Sequence, residues 1–196
     1  MIEVPLSILA GTSVAGACRE LLEIYRGLDA ETEAFSASCA VHCPPGCGRC
    51  CEGFSPPVTR IEADLVALFL LDAACPPPRE GSADGQCPFY DAIPALHCAI
   101  HPVRPLICRG FGFCAFGGKD GRPRFSYCRH MPAAGPRHLD AAAMRLAFPR
   151  QPPRLDAHYA PLMALAHEAE AGQRTLAAAL AESIAKVGSL LSYARG

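Results

Sequence analysis

At 196 residues, 51% of them hydrophobic and 19% charged, the chain is long enough for one well-buried domain and too short for two large ones. A formal net charge of −1 without any run of Lys or Arg excludes a nucleic-acid footprint, and no apolar run approaches the ~20 residues that span a bilayer. Twelve cysteines are the outlying number, and they fit either a disulfide framework or metal ligation in a reducing compartment.

The N-terminus bears on that choice. Ala15-Gly16-Ala17-Cys18 is faintly like a lipoprotein cleavage site, but no Lys or Arg precedes the apolar part. Glu3 and Pro5 stand where a positive region belongs. The chain is therefore expected in the cytoplasm, with its cysteines reduced or metal-bound.

From about Ser13 to Ser36 the pattern predicts a helix, with Val14, Ala17, Cys18, Leu21, Leu22, Tyr25 and Leu28 on one apolar face. Cys18 on that face reads as a small core hydrophobe, and Cys39, at the end of the segment, is ambiguous. The stretch from Cys39 to Gly53 is loop, and it holds the knot Cys43-Pro-Pro-Gly-Cys47-Gly-Arg-Cys50-Cys51. Its Gly and Pro residues let the backbone turn tightly enough to aim several thiols at one point.

Thr59-Arg60-Ile61-Glu62 has the capping-box pattern of a helix start, and Ile61, Leu65, Leu68 and Phe69 carry that helix to about Ala74. Pro76-Pro77-Pro78 stops it, with Cys75 incidental at the boundary. From Ser82 to Met131, Gly, Pro, aromatics and cysteines dominate, with short strands expected at Ala95–Ile100, Phe111–Phe116 and Arg124–Tyr127. Gly117 to Gly121 is the turn between the last two. Where regular structure is thin, a bound metal helps hold the chain together.

Leu139 to Phe148 reads as a short helix, and Pro149 to Pro153 as a break. Asp156 is expected to cap one long segment to about Leu191, kinked near Gly172, with a stripe of Leu162, Leu165, Ala169, Leu176, Leu180, Ile184, Val187 and Leu191. That stripe is a core face, or a face for a protein partner or a second copy of the chain. The fold class is thus mostly α with a small irregular cysteine-rich metal-binding core and few short strands. It reads as a single domain, 1–196, whose core spans about 39–131 between helical flanks at 1–38 and 132–196.

Beyond the knot come Cys87-Pro88, Cys98-Ala99-Ile100, Arg104-Pro105 and Cys108. The ordered set Cys43-x-x-Gly46-Cys47-Gly48-x-Cys50-Cys51, Cys87-Pro88, Cys98-x-Ile100, Arg104-Pro105, Cys108 resembles the cysteine-cluster family called CxxCxxCC, a family of zinc- or iron-chelating domains. The resemblance covers roughly residues 43 to 128, and the helical flanks match nothing. It implies about eight thiolate ligands, of which Cys43, Cys47, Cys50, Cys51, Cys87, Cys98 and Cys108 map directly. Cys114 and Cys128 compete for the eighth place, and Cys128 fits the longer gap. His101, where the family often has an aromatic, is a ligand or, more in keeping with its position, a surface residue. Arg104 and Arg109 flank Cys108 and are expected to counter the charge of bound thiolates rather than to pair with surface carboxylates.

Eight thiols hold two tetrahedral zinc ions, or one iron–sulfur cluster with thiols to spare. Adjacent cysteines such as Cys50 and Cys51 normally point to different sides, which suits two nearby sites or a cluster with spread-out irons. The leading expectation is an iron–sulfur cluster, [4Fe–4S], carried on the cysteines, and the alternative is structural Zn2+ in an interaction module. The spacing Cys43-x3-Cys47-x2-Cys50 also resembles that of radical S-adenosylmethionine enzymes. With the flagellin lysine N-methylase as the related case, it leaves a protein lysine methylase as the enzymatic alternative. Arg49 stands where those enzymes commonly have an aromatic, and the alternating strands and helices of a partial barrel are not legible. No Gly-rich phosphate loop, HExxH or serine elbow is present.

Overall fold

The computed structural model describes residues 6–44, 47–72, 85–91, 98–132, 135–165 and 174–195. Within them, in chain order, run α1 (Ser13–Cys39), β1 (Pro57–Val58), α2 (Arg60–Asp72), α3 (Leu106–Gly110), β2 (Ala115–Gly117), β3 (Pro123–Ser126), β4 (His138–Leu139), α4 (Ala141–Ala147), α5 (Leu155–Leu165), β5 (Arg174–Thr175) and α6 (Leu176–Arg195). Short 3-10 turns at Leu6–Leu9, Arg49–Cys51 and His101–Val103 complete them. The protein is mostly helical with few short strands in two small sheets, as its periodicity predicts. Its contacts gather into two compact units. The first comprises Met1–Glu23, Gly46–Pro105 and Met163–Gly196, and the second Ile24–Pro45 and Leu106–Leu162.

In the first unit α2 packs on α6. The capping box forms as read: the Thr59 amide donates to Glu62 Oε2 at 2.8 Å, and the Glu62 amide donates to Thr59 Oγ1 at 3.4 Å. Ile61 through Phe69 are all buried, so α2 is covered all round rather than along one stripe. That burial takes in Asp64, whose Oδ2 accepts from Lys186 Nζ on α6 at 2.6 Å. The C-terminal stripe is largely as expected, since Leu176, Leu180, Val187 and Leu191 are buried. Cys18 is buried there, and loss of hydration, with Asp64 next in effect, pushes its thiol up to about 12.

The long C-terminal segment is not one helix. α5 and α6 are separate, and between them Arg174 and Thr175 pair antiparallel with Val58 and Pro57. The Thr175 hydroxyl then accepts from the Ala178 amide at 3.4 Å, capping α6. Strand pairing and a local cap together outweigh helix continuation. Asp156 lies inside the first turn of α5, bound to Arg154, instead of capping it. The kink foreseen near Gly172 and the stripe position Ala169 lie outside the described residues, as does Cys75.

The second unit is built on an aromatic cluster. Phe35, Phe125 and Phe148 meet edge-to-face at 5.0 to 5.7 Å between ring centroids, and Val41, Cys128, Met131, Leu139 and Met144 fill the space around them. α1 ends where Ala40 turns left-handed at φ 52°. β2 and β3 form the expected hairpin, closed by the Gly118 amide donating to the Arg122 carbonyl at 2.8 Å. Two boundaries move. Phe111 to Phe113 are turn, because the Gly110 carbonyl takes the Phe113 and Cys114 amides at 3.0 and 2.9 Å. Leu139 belongs to β4, and α4 starts after Asp140, whose Oδ1 accepts from the Ala142 and Ala143 amides. Of the strand expected at 95–100, only Cys98 to Ile100 are described, and Cys98 makes a single bridge to Tyr90.

Candidate metal centre

All eleven described cysteines are free thiols. Four of them, Cys50, Cys51, Cys87 and Cys98, converge in the first unit, where the Cys51 side chain is hydrogen-bonded to those of the other three. The knot supplies two of these thiols, on the 3-10 turn Arg49–Cys51 started by the Cys51 amide donating to Gly48 at 2.9 Å. The vicinal pair therefore turns to one side and not to two.

The other two thiols sit at the heads of two similar turns. Cys87 begins Cys87-Pro88-Phe89-Tyr90, closed by the Tyr90 amide on the Cys87 carbonyl at 3.1 Å. Pro88 sets the second position of that turn. Cys98 begins Cys98-Ala99-Ile100-His101, closed by the His101 amide on the Cys98 carbonyl at 3.3 Å. In both, the amide two residues on, that of Phe89 or Ile100, hydrogen-bonds the cysteine sulfur. The turns are joined by the Ala99 amide on the Phe89 carbonyl at 3.1 Å. The first is fastened to the knot by the Cys87 amide on the Cys51 carbonyl at 3.1 Å and by Tyr90 Oη donating to Glu52 Oε1 at 2.9 Å.

The electrostatics divide the quartet. Cys51 keeps its proton, held up by its hydrogen bonds to Cys50, Cys87 and Cys98. Its three neighbours are correspondingly acidic. Cys50 is lowered to about 7, by its bond to Cys51 first and then by the charge of Arg104, against the opposing effect of burial. Cys87 and Cys98 are lowered by the bond to Cys51, with the Phe89 and Ile100 amides assisting. Arg104 also acts on Cys98, in the role expected of it. Arg109, in the second unit, is engaged by α1: Nη1 meets Asp29 at 2.5 Å and the guanidinium covers the Tyr25 ring at 4.2 Å. A carboxylate and an aromatic face on α1 claim it.

The donor set suits a thiophilic metal in number and in kind. A tetrathiolate would use the three acidic thiols directly and would require Cys51 to lose its proton as the metal binds, with the sulfur-directed amides stabilising the anions. Among the described residues no group of three or more Cys, His, Asp or Glu side chains is placed so that it could hold a metal ion. The quartet is closed by hydrogen bonds between its own sulfurs.

The remaining candidates are placed as follows. Cys47 is half-buried in the first unit, and Cys43 is exposed in the second, beyond α1. Cys108 is half-buried on α3. Cys128 is buried in the aromatic cluster, in a turn whose carbonyl oxygens at Cys128 and Met131 take the Arg137 guanidinium. Cys114 is buried as well, and loss of hydration pushes its thiol up to about 12. His101 is exposed and hydrogen-bonded to Arg104 at 3.0 Å. The turn amides of Phe89 and Ile100 and the Tyr90–Glu52 bond are parts of the site that spacing alone did not single out. Their only trace in the sequence is the repeat of cysteine, a spacer and a large apolar residue at 87–89 and 98–100.

No curated protein and no solved structure matches the chain. Residues 42–132 match the model of one family, CxxCxxCC, described as a "putative zinc- or iron-chelating domain". The matched span contains the whole quartet, both of its turns and Arg104, so it is this part of the chain, residues 42–132, that is similar to the CxxCxxCC family.

Proposed function

We propose that this protein chelates a single metal ion, zinc first and iron second, as a tetrathiolate of Cys50, Cys51, Cys87 and Cys98. The observation that carries the reading is the joining of all four thiols through Cys51. Sulfurs bound at ~2.3 Å to one tetrahedral ion lie ~3.8 Å apart, which is the range of a sulfur hydrogen bond. Ligands of a [4Fe–4S] cube each bind a different iron and need wider spacing. The bound ion supplies a cross-link between three loops that have little regular structure of their own. A cytoplasmic setting, where thiols stay reduced, suits eleven free cysteines.

The iron–sulfur cluster is the second reading. It rests on Cys47, which stands in the same unit as the quartet, three residues ahead of Cys50. The radical-enzyme reading has less behind it, because both described sheets are antiparallel whereas a partial barrel is built from parallel strands. A dimer through the C-terminal helix likewise has less behind it, since Leu176, Leu180, Val187 and Leu191 are buried within the chain.

Anaerobic purification with metal analysis and an absorption spectrum tests the proposal. One equivalent of zinc and no colour is the expected result. One iron without acid-labile sulfide supports the same centre with the other ion. A brown protein with stoichiometric sulfide replaces it with the cluster, and a protein that binds neither metal overturns both.

A further inference from the structure

A second site lies in the other unit. Between the β2–β3 turn and the start of α4 is a cavity of about 410 Å3, lined by Arg122, Arg124, Arg145, Asp120 and Asp140. We propose that this cavity binds a phosphate dianion, either as inorganic phosphate or as the phosphate monoester of a small molecule.

Three guanidiniums against two carboxylates leave the lining with one positive charge in excess. Asp120 takes Arg124 Nη2 at 3.2 Å and the Arg122 amide at 3.2 Å. Asp140 takes the Ala142 and Ala143 amides at 2.9 and 2.8 Å. Arg122 and Arg145 are exposed and have no ion-pair partner among the described residues. Two guanidiniums without an ion-pair partner among the described residues thus line the cavity, and the planar fork of each matches two phosphate oxygens at once.

The third arginine is paired with Asp120. A Cβ on Gly118 would come within 2.6 Å of Arg124 Nε and 2.8 Å of Asp120 Oδ1, so the ion pair lies close over the turn. The volume falls in the range of small-ligand pockets and exceeds what a bare phosphate fills. Pro123, Ala141 and Ala142 supply apolar wall for an organic remainder.

The test is calorimetric titration of the full-length, metal-loaded protein with inorganic phosphate and, separately, glycerol 3-phosphate in a low-salt, phosphate-free buffer. Saturable binding is expected, weakened about tenfold or more in each of Arg122→Gln and Arg145→Gln and unchanged in Arg19→Gln, an exposed arginine of the first unit. Arg145→Lys, which keeps the charge and loses the fork, is expected to fall between. Tighter binding of the ester identifies a phosphorylated small molecule, and equal or tighter binding of the inorganic ion identifies free phosphate. Circular dichroism confirms that the exposed-site variants stay folded. No saturable binding of either probe below ~10 mM, or equal affinity in both glutamine variants, overturns the proposal. Metal content is read on the same samples, so loss of the thiolate centre and loss of this site are distinguished.

Discussion

The Cys87 amide donates to the Cys51 carbonyl oxygen at 3.1 Å, so two cysteines 36 positions apart are tied through the main chain as well as through their sulfurs. That bond gives the quartet a backbone frame. Replacing one sulfur should therefore cost the metal before it costs the turn.

Cys51→Ser and Cys87→Ser should each abolish stoichiometric metal binding, while Cys18→Ser should retain it. Loss of a structural metal forfeits on the order of 10 kcal/mol of apparent binding energy, against ~1 kcal/mol for an ordinary buried substitution. Metal analysis with thermal melts checks this, and equal metal content across the three variants would refute the assignment.

The metal-free protein should gain stability as pH rises from 7 to 9 and lose it above 9. Cys50 titrates at about 7 when folded, below its ordinary value of 9.0, so the unfolded chain holds the extra proton in that window. Its contribution is complete above 9 and disappears as pH falls through 7. Cys51, Cys18 and Cys114 are raised, so their contributions are present below 9 and are lost as pH rises toward their folded values. Denaturant midpoints from pH 6 to 10 should trace a maximum near 9. In the same material iodoacetamide at neutral pH should label Cys50 well ahead of Cys18 and Cys114, as mass spectrometry of digests will report.

Lys186→Met should destabilise the protein by ~3–5 kcal/mol, because it strands a carboxylate that is 2% exposed. Asp64 Oδ1 has no hydrogen-bond partner even with the lysine present, so the carboxylate has little in reserve. The double variant Asp64→Leu with Lys186→Met should recover most of the loss. Chemical denaturation of the three proteins measures the coupling.

Arg109→Lys should cost ~1–3 kcal/mol and leave the metal content intact. The guanidinium is 6% exposed, pairs with Asp29 and stacks on Tyr25, and a lysine ammonium reproduces neither the fork nor the planar stack. A matching drop in metal content would instead return Arg109 to the thiolates.

Several features are written in the sequence because they close within a few residues. The Thr59–Glu62 box, the Gly117–Gly121 turn and the helical stripes of α1 and α6 all depend on neighbours one to four positions away. The cysteine knot was legible as a local cluster of thiols for the same reason. Which thiols meet was not legible, since Cys51 reaches Cys87 and Cys98 across 35 and 46 intervening residues, and spacing carries no information about such closures. The split between α5 and α6 came from β1, more than 100 residues upstream, whose pairing with Arg174 and Thr175 competes with helix continuation. Arg109 was drawn to Asp29, 80 positions away, by a partner that only the packed chain presents. Local periodicity and turn chemistry thus determined the elements and the kind of ligand, while long-range packing selected the partners, because only a folded chain brings distant donors and acceptors out of water together.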